Sequence, residues 1–484
     1  MLVAIDDAAD HNMSVWEWGR GERGCKLLES KCSSDPVLSA EFSPVDRNTI
    51  ITCGKNHITF WLYENGMLAK RMGVFETREK PKYVTAIAFL NTGDVLSGDS
   101  NGNLLIWYRG GNTVAHSVRG AHEGPVFSIL VQNNGNIITA GKDGKIFEWD
   151  PNLNRTGNSI KVAEKFGAPR VVTNGKGSRL IVGTTKNCIL AGSFSLPLQS
   201  VMQGHCDEVW ALSCHPSQQQ FLTAGHDKTC ILWDSMSHTQ VWSTTFTCCG
   251  VQESVQCGCF SPCGSVVVVG GVSGYWAAMD AQTRELRKES RDGTDPIQVV
   301  KFSPDGQYLA VGSRDGSITI HQVMDDLRRF ARLGKCQGHA SAVVHLDWSS
   351  DSQYLQSNSS DYDLLFWNAP ICRQIVQSSQ LRDVEWATRT CPVSFHSLGT
   401  WLDDGVDVLS SCQASKSDII VAGDILGNIT LLSSPACHQK ATGVHHQAHG
   451  SLVTNVEFLP EDTRLISCGS RDAAIMQWQL IVKH

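Results

Sequence analysis

Residues 221–234 read Phe221-Leu-Thr-Ala-Gly-His-Asp-Lys-Thr-Cys-Ile-Leu-Trp233-Asp234. The same order of residue types appears earlier, in Asn136-Ile-Ile-Thr-Ala-Gly-Lys-Asp-Gly-Lys-Ile-Phe-Glu-Trp149-Asp150. Each stretch predicts an apolar strand, a tight turn that contains glycine, and a second strand that ends on Trp-Asp. Such self-similarity is the mark of a repeat architecture, and it decides the fold of the chain.

Equivalent positions recur along the whole sequence. They fall at Trp18, Trp61, Trp107, Trp149, Ser193, Trp233, Met279, His321, Trp367, Leu432 and Trp478. Most neighbours lie 40 to 46 residues apart, whereas Trp367 and Leu432 lie 65 apart, which indicates an insertion between them. A period of about 40–45 residues punctuated by Gly, Asp and Trp is typical of WD40 blades, which are four-stranded antiparallel sheets. The sequence therefore predicts an all-β protein.

The number of repeats predicts two propellers in tandem, because one ring normally closes with about 4–8 blades. A complete repeat starts at Gln203-Gly-His-Cys-Asp-Glu-Val209, directly after a weak repeat around Ser193 that lacks tryptophan. We therefore expect a first propeller in residues 1–195, with about five repeats, and a second in residues 196–484, with about six.

Polar residues at fixed places within the repeats predict buried hydrogen-bond networks of a loop His, a strand Ser or Thr, a turn Asp and a strand Trp. Four repeats carry the whole set: His122, Thr139, Asp143 and Trp149; His205, Thr223, Asp227 and Trp233; His339, Ser357, Asp361 and Trp367; and His449, Ser467, Asp472 and Trp478. A catalytic triad is the alternative, but four copies at repeat spacing favour a structural role. We expect no catalytic residues and no enzyme activity.

Composition narrows the class of protein further. The chain has 484 residues, of which 41% are hydrophobic, and its longest apolar run lies around Val266–Val269, far short of the about 20 residues that span a bilayer. Its start has no basic region of the kind that opens a signal peptide, so a cytoplasmic location is expected. The net charge of −7 disfavours a general nucleic-acid-binding protein.

The 18 cysteines are expected to be reduced. Cys248, Cys249, Cys257, Cys259 and Cys263 cluster in sequence, but without the C-x₂-C spacing of a zinc knuckle. His445 and His446 lie near His449, which is already assigned to a repeat network. We therefore predict no metal and no cofactor.

Several stretches resemble the echinoderm microtubule-associated protein-like family, and the resemblance covers essentially the whole chain. They include Ile51-Thr-Cys-Gly-Lys-Asn-His-Ile-Thr-Phe-Trp61, Glu79-Lys-Pro-Lys-Tyr-Val84, Leu333-Gly-Lys-Cys-Gln-Gly-His339 and Asp383-Val-Glu-Trp-Ala-Thr-Arg-Thr-Cys391. The resemblance implies two atypical propellers and a non-enzymatic scaffold that binds tubulin or microtubules and organises the cytoskeleton. It also implies an upstream coiled coil and about two more blades, so we expect a first propeller that is incomplete at its N-terminus.

The charge distribution suggests which part would face tubulin. Residues 1–195 hold 22 Lys and Arg against 19 Asp and Glu, and residues 196–484 hold 19 against 29. The candidate tubulin-facing residues are Lys55, Arg78, Lys80, Lys82, Lys142 and Lys145. They lie in two classes of loop that emerge on the same face of a propeller, where a positive surface would attract the acidic tails of tubulin.

A second functional class stays open. Propellers bind many kinds of protein partner, and the fold alone does not select one. The alternative is a general WD40 adaptor, such as a signalling or substrate-recruiting scaffold. Salt-sensitive co-sedimentation with microtubules would discriminate between the two.

Overall fold

The computed structural model describes residues 1–19, 24–64, 66–76, 78–400, 406–437, 441, 443–462 and 464–481. Strands are by far the main regular element of these residues, which confirms the predicted all-β class. The helical residues among them lie in three short 3-10 helices, Glu164–Phe166, Ser378–Leu381 and Leu398–Thr400. The chain divides into two compact units, Met1–Gly204 and His205–His484.

The first unit contains five antiparallel sheets among its described residues. Their strands are β1 Leu2–Ile5, β2 Asn12–Glu17 and β3 Cys25–Lys31; β4 Val37–Phe42, β5 Thr49–Gly54, β6 His57–Glu64 and β7 Met67–Met72; β8 Val84–Phe89, β9 Val95–Asp99, β10 Leu104–Trp107 and β11 Val114–Val118; β12 Val126–Val131, β13 Ile137–Gly141, β14 Lys145–Trp149 and β15 Arg155–Lys161; and β16 Pro169–Asn174, β17 Leu180–Thr184, β18 Cys188–Ser193 and β19 Leu196–Gln203.

The second unit contains six larger sheets and one small hairpin among its described residues. Their strands are β20 Val209–Cys214, β21 Gln220–Gly225, β22 Thr229–Asp234 and β23 Thr239–Thr245; the hairpin β24 Thr247–Cys248 and β25 Val251–Gln252; β26 Val255–Phe260, β27 Val266–Gly271, β28 Tyr275–Asp280 and β29 Leu286–Arg291; β30 Ile297–Phe302, β31 Tyr308–Ser313, β32 Ser317–Met324 and β33 Arg329–Gln337; β34 Val343–Trp348, β35 Tyr354–Ser359, β36 Leu364–Asn368 and β37 Arg373–Ile375; β38 Val408–Gln413, β39 Ile419–Asp424, β40 Asn428–Ser433 and β41 Val444–Gln447; and β42 Val453–Phe458, β43 Arg464–Gly469 and β44 Ile475–Gln479.

The boundary between the units follows Gly204 rather than the expected Ser195. The difference has a simple cause, since β19 pairs with β18 and completes the fifth sheet as its fourth strand. Leu196–Gln203 therefore belongs to the first unit, and the first strand of the second unit begins at Val209.

Apolar residues pack between neighbouring sheets and form the core. One buried cluster joins Leu222 and Leu232 of one sheet to Val267, Val269 and Met279 of the next. Each sheet alternates residues toward its two neighbours, so both faces of a middle strand are apolar, as the run Val266–Val269 illustrates. This pattern explains why short, apolar strands that are unstable alone become stable as a stack.

The ring of the second unit closes on itself. The first strand of its last sheet, β42, packs against β20, and Ile466 and Cys468 share a buried cluster with Trp233. Thr454 Oγ1 donates a hydrogen bond to the Val209 carbonyl oxygen at 2.8 Å, and Arg464 Nη1 donates one to the Ser235 carbonyl oxygen at 3.0 Å. The second unit is therefore a closed propeller.

Candidate functional site

The predicted polar networks lie inside the sheets. In the sheet that begins at β20, His205 Nδ1 is 2.9 Å from Asp227 Oδ2, and His205 Nε2 is 2.8 Å from Thr223 Oγ1. Trp233 Nε1 donates a hydrogen bond to the same Thr223 oxygen at 2.8 Å. Because a carboxylate only accepts, the histidine proton is assigned to Nδ1, which leaves Nε2 to accept from the threonine hydroxyl.

Two more sheets contain the full chain of contacts. His122 lies 3.0 Å from Asp143 Oδ1 and 2.8 Å from Thr139 Oγ1, which accepts from Trp149 at 2.8 Å. The last sheet repeats the arrangement with His449, Asp472, Ser467 and Trp478, at 3.1, 2.8 and 2.9 Å in the same order. Burial is the main cause that lowers the pKa of His122, so a neutral ring suits its place between Asp and Thr.

The sheet that begins at β34 departs from the prediction. His339 Nε2 is 2.6 Å from Ser357 Oγ and Trp367 donates to that oxygen, but Asp361 accepts from Ser359 instead of meeting His339. As a result, the buried His339 Nδ1 has no hydrogen-bond partner among the described residues.

Ser359 supplies the physical reason. Ser359 pairs with Val343, the first residue of β34. In the three complete networks a glycine stands at the equivalent position, as Gly141 does opposite Val126. A Cβ atom at Gly141 would lie 2.5 Å from His122 Nδ1 and 3.0 Å from Asp143 Oδ1, between the two groups that must touch. A serine at this position therefore separates the histidine from the aspartate.

Some sheets contain networks that the sequence pattern missed. Trp107 Nε1 donates to Ser97 Oγ at 2.8 Å, and Trp61 Nε1 donates to Thr52 Oγ1 at 3.0 Å. In the sheet that begins at β30, His321 Nε2 lies 2.7 Å from Asp292 Oδ2. The same carboxylate oxygen accepts a hydrogen bond from Trp276 Nε1 at 2.8 Å. Trp276 lies outside the repeat positions, so spacing alone did not indicate its partner.

The hydroxyl groups of these networks have no access to a substrate. Thr139, Thr223, Ser357 and Ser467 are all fully buried, and each already contacts a histidine and a tryptophan. The arrangement therefore stabilises the sheets and offers no nucleophile to solvent.

Five of the six predicted tubulin-facing residues occupy two kinds of loop in the first unit, and the sixth, Lys145, is the first residue of β14. Lys55 and Lys142 lie in the turns between the second and third strands of their sheets. The Asn56 N–H donates to the Lys82 carbonyl oxygen at 2.9 Å, and the Lys142 N–H donates to the Pro125 carbonyl oxygen at 2.9 Å. The turn with Lys55 thus lies beside the loop that leads into β8 of the next sheet, and the turn with Lys142 lies beside the loop that leads into β12 of its own sheet. Both kinds of loop are on one face of the unit.

Half of these six residues are paired with nearby acids. Lys55 Nζ is 3.1 Å from Asp35, Arg78 Nη1 is 3.0 Å from Glu76, and Lys145 Nζ is 3.0 Å from Glu123. Local ion pairs reduce the positive charge available to a partner.

The other three residues, Lys80, Lys82 and Lys142, are exposed. In the part of the chain that the structure describes, they form no ion pair, and Lys82 Nζ lies 5.8 Å from the centre of the Tyr83 ring. These three lysines, called here the exposed lysine triplet, are the cations of the predicted set that stay available.

A cavity of about 350 Å³ lies between the inner strands of the second unit. Lys301 of β30 and Glu457 of β42 line it from the third and sixth sheets of the ring, which are opposite one another. Burial is the largest single effect and lowers the pKa of Lys301, but the nearby acidic groups, Glu457 foremost and Asp347 among them, together outweigh it and raise the lysine pKa. Burial also raises the pKa of Glu457, whose Oε2 accepts from the Cys214 N–H at 3.0 Å.

Asp347 holds the insertion that the long repeat spacing indicated. Residues 378–400, called here the inserted segment, fill the space between the fourth and fifth large sheets of the second unit. Asp347 is fully buried and accepts from the Thr388 hydroxyl at 2.7 Å, the Thr390 N–H at 2.8 Å and the Cys391 N–H at 2.9 Å. On the other side, Ser411 Oγ donates to the Thr390 carbonyl oxygen at 3.1 Å.

His345, two residues before Asp347, also lines the cavity. Burial lowers the pKa of its ring to about 4; Lys301 acts in the same direction, while Asp347 and a backbone group of Leu409 oppose the shift. Since an unfolded chain has a histidine pKa of about 6.5, the unfolded state takes up the proton first as pH falls. The stability that His345 contributes is therefore present above about pH 6.5 and is lost as pH falls toward 4.

Replacing His345 with glutamine should flatten this pH dependence. Between pH 6.5 and 4, we expect the free energy of unfolding of the second unit to fall by about 1–3 kcal/mol more in the parent protein than in the variant. Denaturant titrations at a series of pH values measure the difference, with the exposed His238→Gln as control. Parallel curves for parent and His345→Gln would contradict the prediction.

The fold and the buried networks define the class: this is a protein of two WD40-type β-propellers in tandem. Residues 1–192 match the family model of the echinoderm microtubule-associated protein first β-propeller, and residues 209–480 match that of the second β-propeller. The chain belongs to the echinoderm microtubule-associated protein-like family.

Individual relatives are similar along nearly the whole chain. Mouse echinoderm microtubule-associated protein-like 1 is 42% identical over 483 residues, which are 99% of this chain and 58% of the relative. Rat echinoderm microtubule-associated protein-like 2 is 41% identical over 99% of this chain and 73% of its own length. The 77 kDa echinoderm microtubule-associated protein of Lytechinus variegatus is 41% identical over 99% of this chain and 71% of its own length. The chain thus spans less than two thirds of the mouse protein.

Helices contribute little to this structure. No helix among the described residues is long and apolar enough to cross a membrane.

Proposed function

We propose that this chain is a non-enzymatic scaffold that binds tubulin or microtubules and acts in the cytoplasm as part of the microtubule cytoskeleton. The observation that carries the proposal is the match of both propellers to relatives named as microtubule-associated proteins. The full burial of the network hydroxyls agrees with a binding rather than a catalytic role. The basic test is co-sedimentation of the purified chain with microtubules, which we expect to weaken as salt increases.

We further propose that the exposed lysine triplet contributes to this contact. Lys80, Lys82 and Lys142 are exposed cations on loops of one face, and among the described residues they lack the acidic partners that Lys55, Arg78 and Lys145 have. An acidic partner would be attracted to such unpaired charges, and the attraction would be screened over about 8 Å at physiological ionic strength. Arg78, which is paired with Glu76, is therefore a weaker choice than Lys142.

Reversing all three charges should weaken microtubule binding. For Lys80→Glu, Lys82→Glu and Lys142→Glu together, we expect the dissociation constant to rise about tenfold or more, because three weak attractions become repulsions. Co-sedimentation at low and at physiological salt measures the change, and the difference between parent and variant should shrink at the higher salt.

A matched control is available in turns at the other end of the strands of the first unit. Arg47, Lys176 and Arg179 are exposed and lie in turns between first and second strands. Reversing these three charges alters the net charge equally but should change binding much less. Equal losses in both triple variants, or no loss in the lysine variant with its fold intact, would remove the exposed lysine triplet from the interface.

A further inference from the structure

Two adjacent cysteines form the tip of a small hairpin in the second unit. The hairpin β24–β25 lies in the connection from β23 to β26, and Cys249 and Gly250 make its two-residue turn. Their φ angles are +49° and +79°, which is the pattern of a type I′ turn. Asparagine, aspartate or glycine is the usual first residue of such a turn, so a cysteine there is held in a conformation that its side chain disfavours.

A carboxylate from another strand completes the group. Glu289 of β29 accepts the Cys249 N–H on Oε1 at 3.0 Å, which fixes the carboxylate beside the turn. The Sγ atoms of Cys248 and Cys249 and a carboxylate oxygen of Glu289 all lie within 4.8 Å of one another. Cys248 is buried, where its thiol contacts the Trp276 carbonyl oxygen at 3.8 Å, while Cys249 is exposed. One side of the group is thus anchored in the protein and the other is open to solvent.

The chemistry of the three groups favours a cation between them. Each carries a negative charge when ionised, so each opposes the ionisation of its neighbours. A divalent cation between them would offset this mutual repulsion, because a thiol loses its proton when its sulfur coordinates a metal.

We propose that Cys248, Cys249 and Glu289 bind one Zn²⁺ ion through two thiolate sulfurs and one carboxylate oxygen. Thiolate and carboxylate ligands together suit this borderline ion, which takes sulfur at about 2.3 Å and oxygen at about 2.0–2.2 Å in tetrahedral geometry. Three protein ligands leave the fourth position to water on the exposed side, as in zinc sites that exchange ligands.

The other cysteines of the sequence cluster do not join this group. Cys257 and Cys259 are buried, and the Cys257 thiol contacts the Ile297 carbonyl oxygen at 3.5 Å. Cys263 is exposed and lies 3.0 Å from the Ser265 hydroxyl and 3.3 Å from that of Ser261. Cys263 therefore offers a matched control, because it is an exposed thiol of the same region without a carboxylate ligand.

The experiment uses the whole chain, reduced and freed of metal. Co²⁺ serves as a spectroscopic probe, since thiolate ligands give it an intense charge-transfer absorption, and Zn²⁺ is then titrated against a coloured chelator. We expect one tight equivalent of metal in the parent, its loss in Cys249→Ser, and an affinity reduced about tenfold or more in Glu289→Gln. Binding should also weaken as pH falls, because protons compete for the thiolates.

The control and the fold decide the outcome. Cys263→Ser should bind metal as the parent does, and circular dichroism should show that every variant is folded. Cys249 lies on the surface at the hairpin tip, so its replacement by serine leaves the core intact. The proposal is overturned if the parent gives no thiolate-to-cobalt absorption, or if Cys249→Ser retains the same stoichiometry and affinity.

Discussion

Replacing Asp347 with alanine is expected to lower the free energy of unfolding of the second unit by about 3–5 kcal/mol. The carboxylate accepts hydrogen bonds from Thr388, Thr390 and Cys391, and also from Gln356 Nε2 at 3.0 Å. Without it, the buried N–H groups of the inserted segment lose their acceptor, and each buried unsatisfied group costs about 1–3 kcal/mol. The segment should then detach from the fourth large sheet.

Calorimetry and limited proteolysis measure this effect. We expect the transition of the second unit to move to lower temperature and new cleavage to occur within the inserted segment, while the first unit is unaffected. Asp351→Ala is the matched control, because the side chain of this exposed aspartate of the same sheet accepts, within the described part of the chain, only from Ser349 Oγ and the Gln353 N–H. The control should lose about 1 kcal/mol or less. Equal losses in the two variants would show that Asp347 does not anchor the segment.

Replacing Trp367 with alanine is expected to destabilise the second unit by about 3–5 kcal/mol. The indole is 1% exposed and packs in the cluster that contains Ile320 and Leu355. Its N–H donates to Ser357 Oγ at 2.8 Å, so the substitution leaves a cavity and also removes a donor from the buried network.

The same calorimetric measurement tests the role of this tryptophan. Trp18→Ala provides the control, because Trp18 is 71% exposed and its removal leaves no internal cavity. We expect the control to change stability by no more than about 0.5 kcal/mol. If Trp367→Ala unfolded at the temperature of the parent, the tryptophan would not be part of a cooperative core.

The sequence predicted the sheets and three complete networks because those features recur at a fixed spacing. His205, Thr223, Asp227 and Trp233 stand at set intervals, and each interval reflects one hairpin register. The pattern failed at His339, where a serine replaces the glycine that the histidine–aspartate contact requires. Spacing reveals which residues are present, but not whether a Cβ atom fits between them.

Other features depend on contacts that no repeat encodes. Asp347 lies on an inner strand at a position where none of the other sheets of the second unit has an aspartate, and its partners Thr390 and Cys391 lie in a unique insertion. Likewise, the ion pair of Lys145 with Glu123 joins the start of β14 to the loop before β12. Such pairs form only after the sheets have assembled, so the sequence indicated the basic residues without showing which of them are neutralised.

Closure of the second ring has a consequence for how the protein folds during synthesis. Thr454 bonds to Val209, a residue 245 positions earlier in the chain. A contact at this separation pays a large loop-closure entropy, and it forms only after the last sheet has left the ribosome. Until then, the sheet that begins at β20 has one uncovered apolar face, which is a surface that chaperones recognise. The second propeller therefore reaches its native stability in one late step, rather than blade by blade as an open solenoid does.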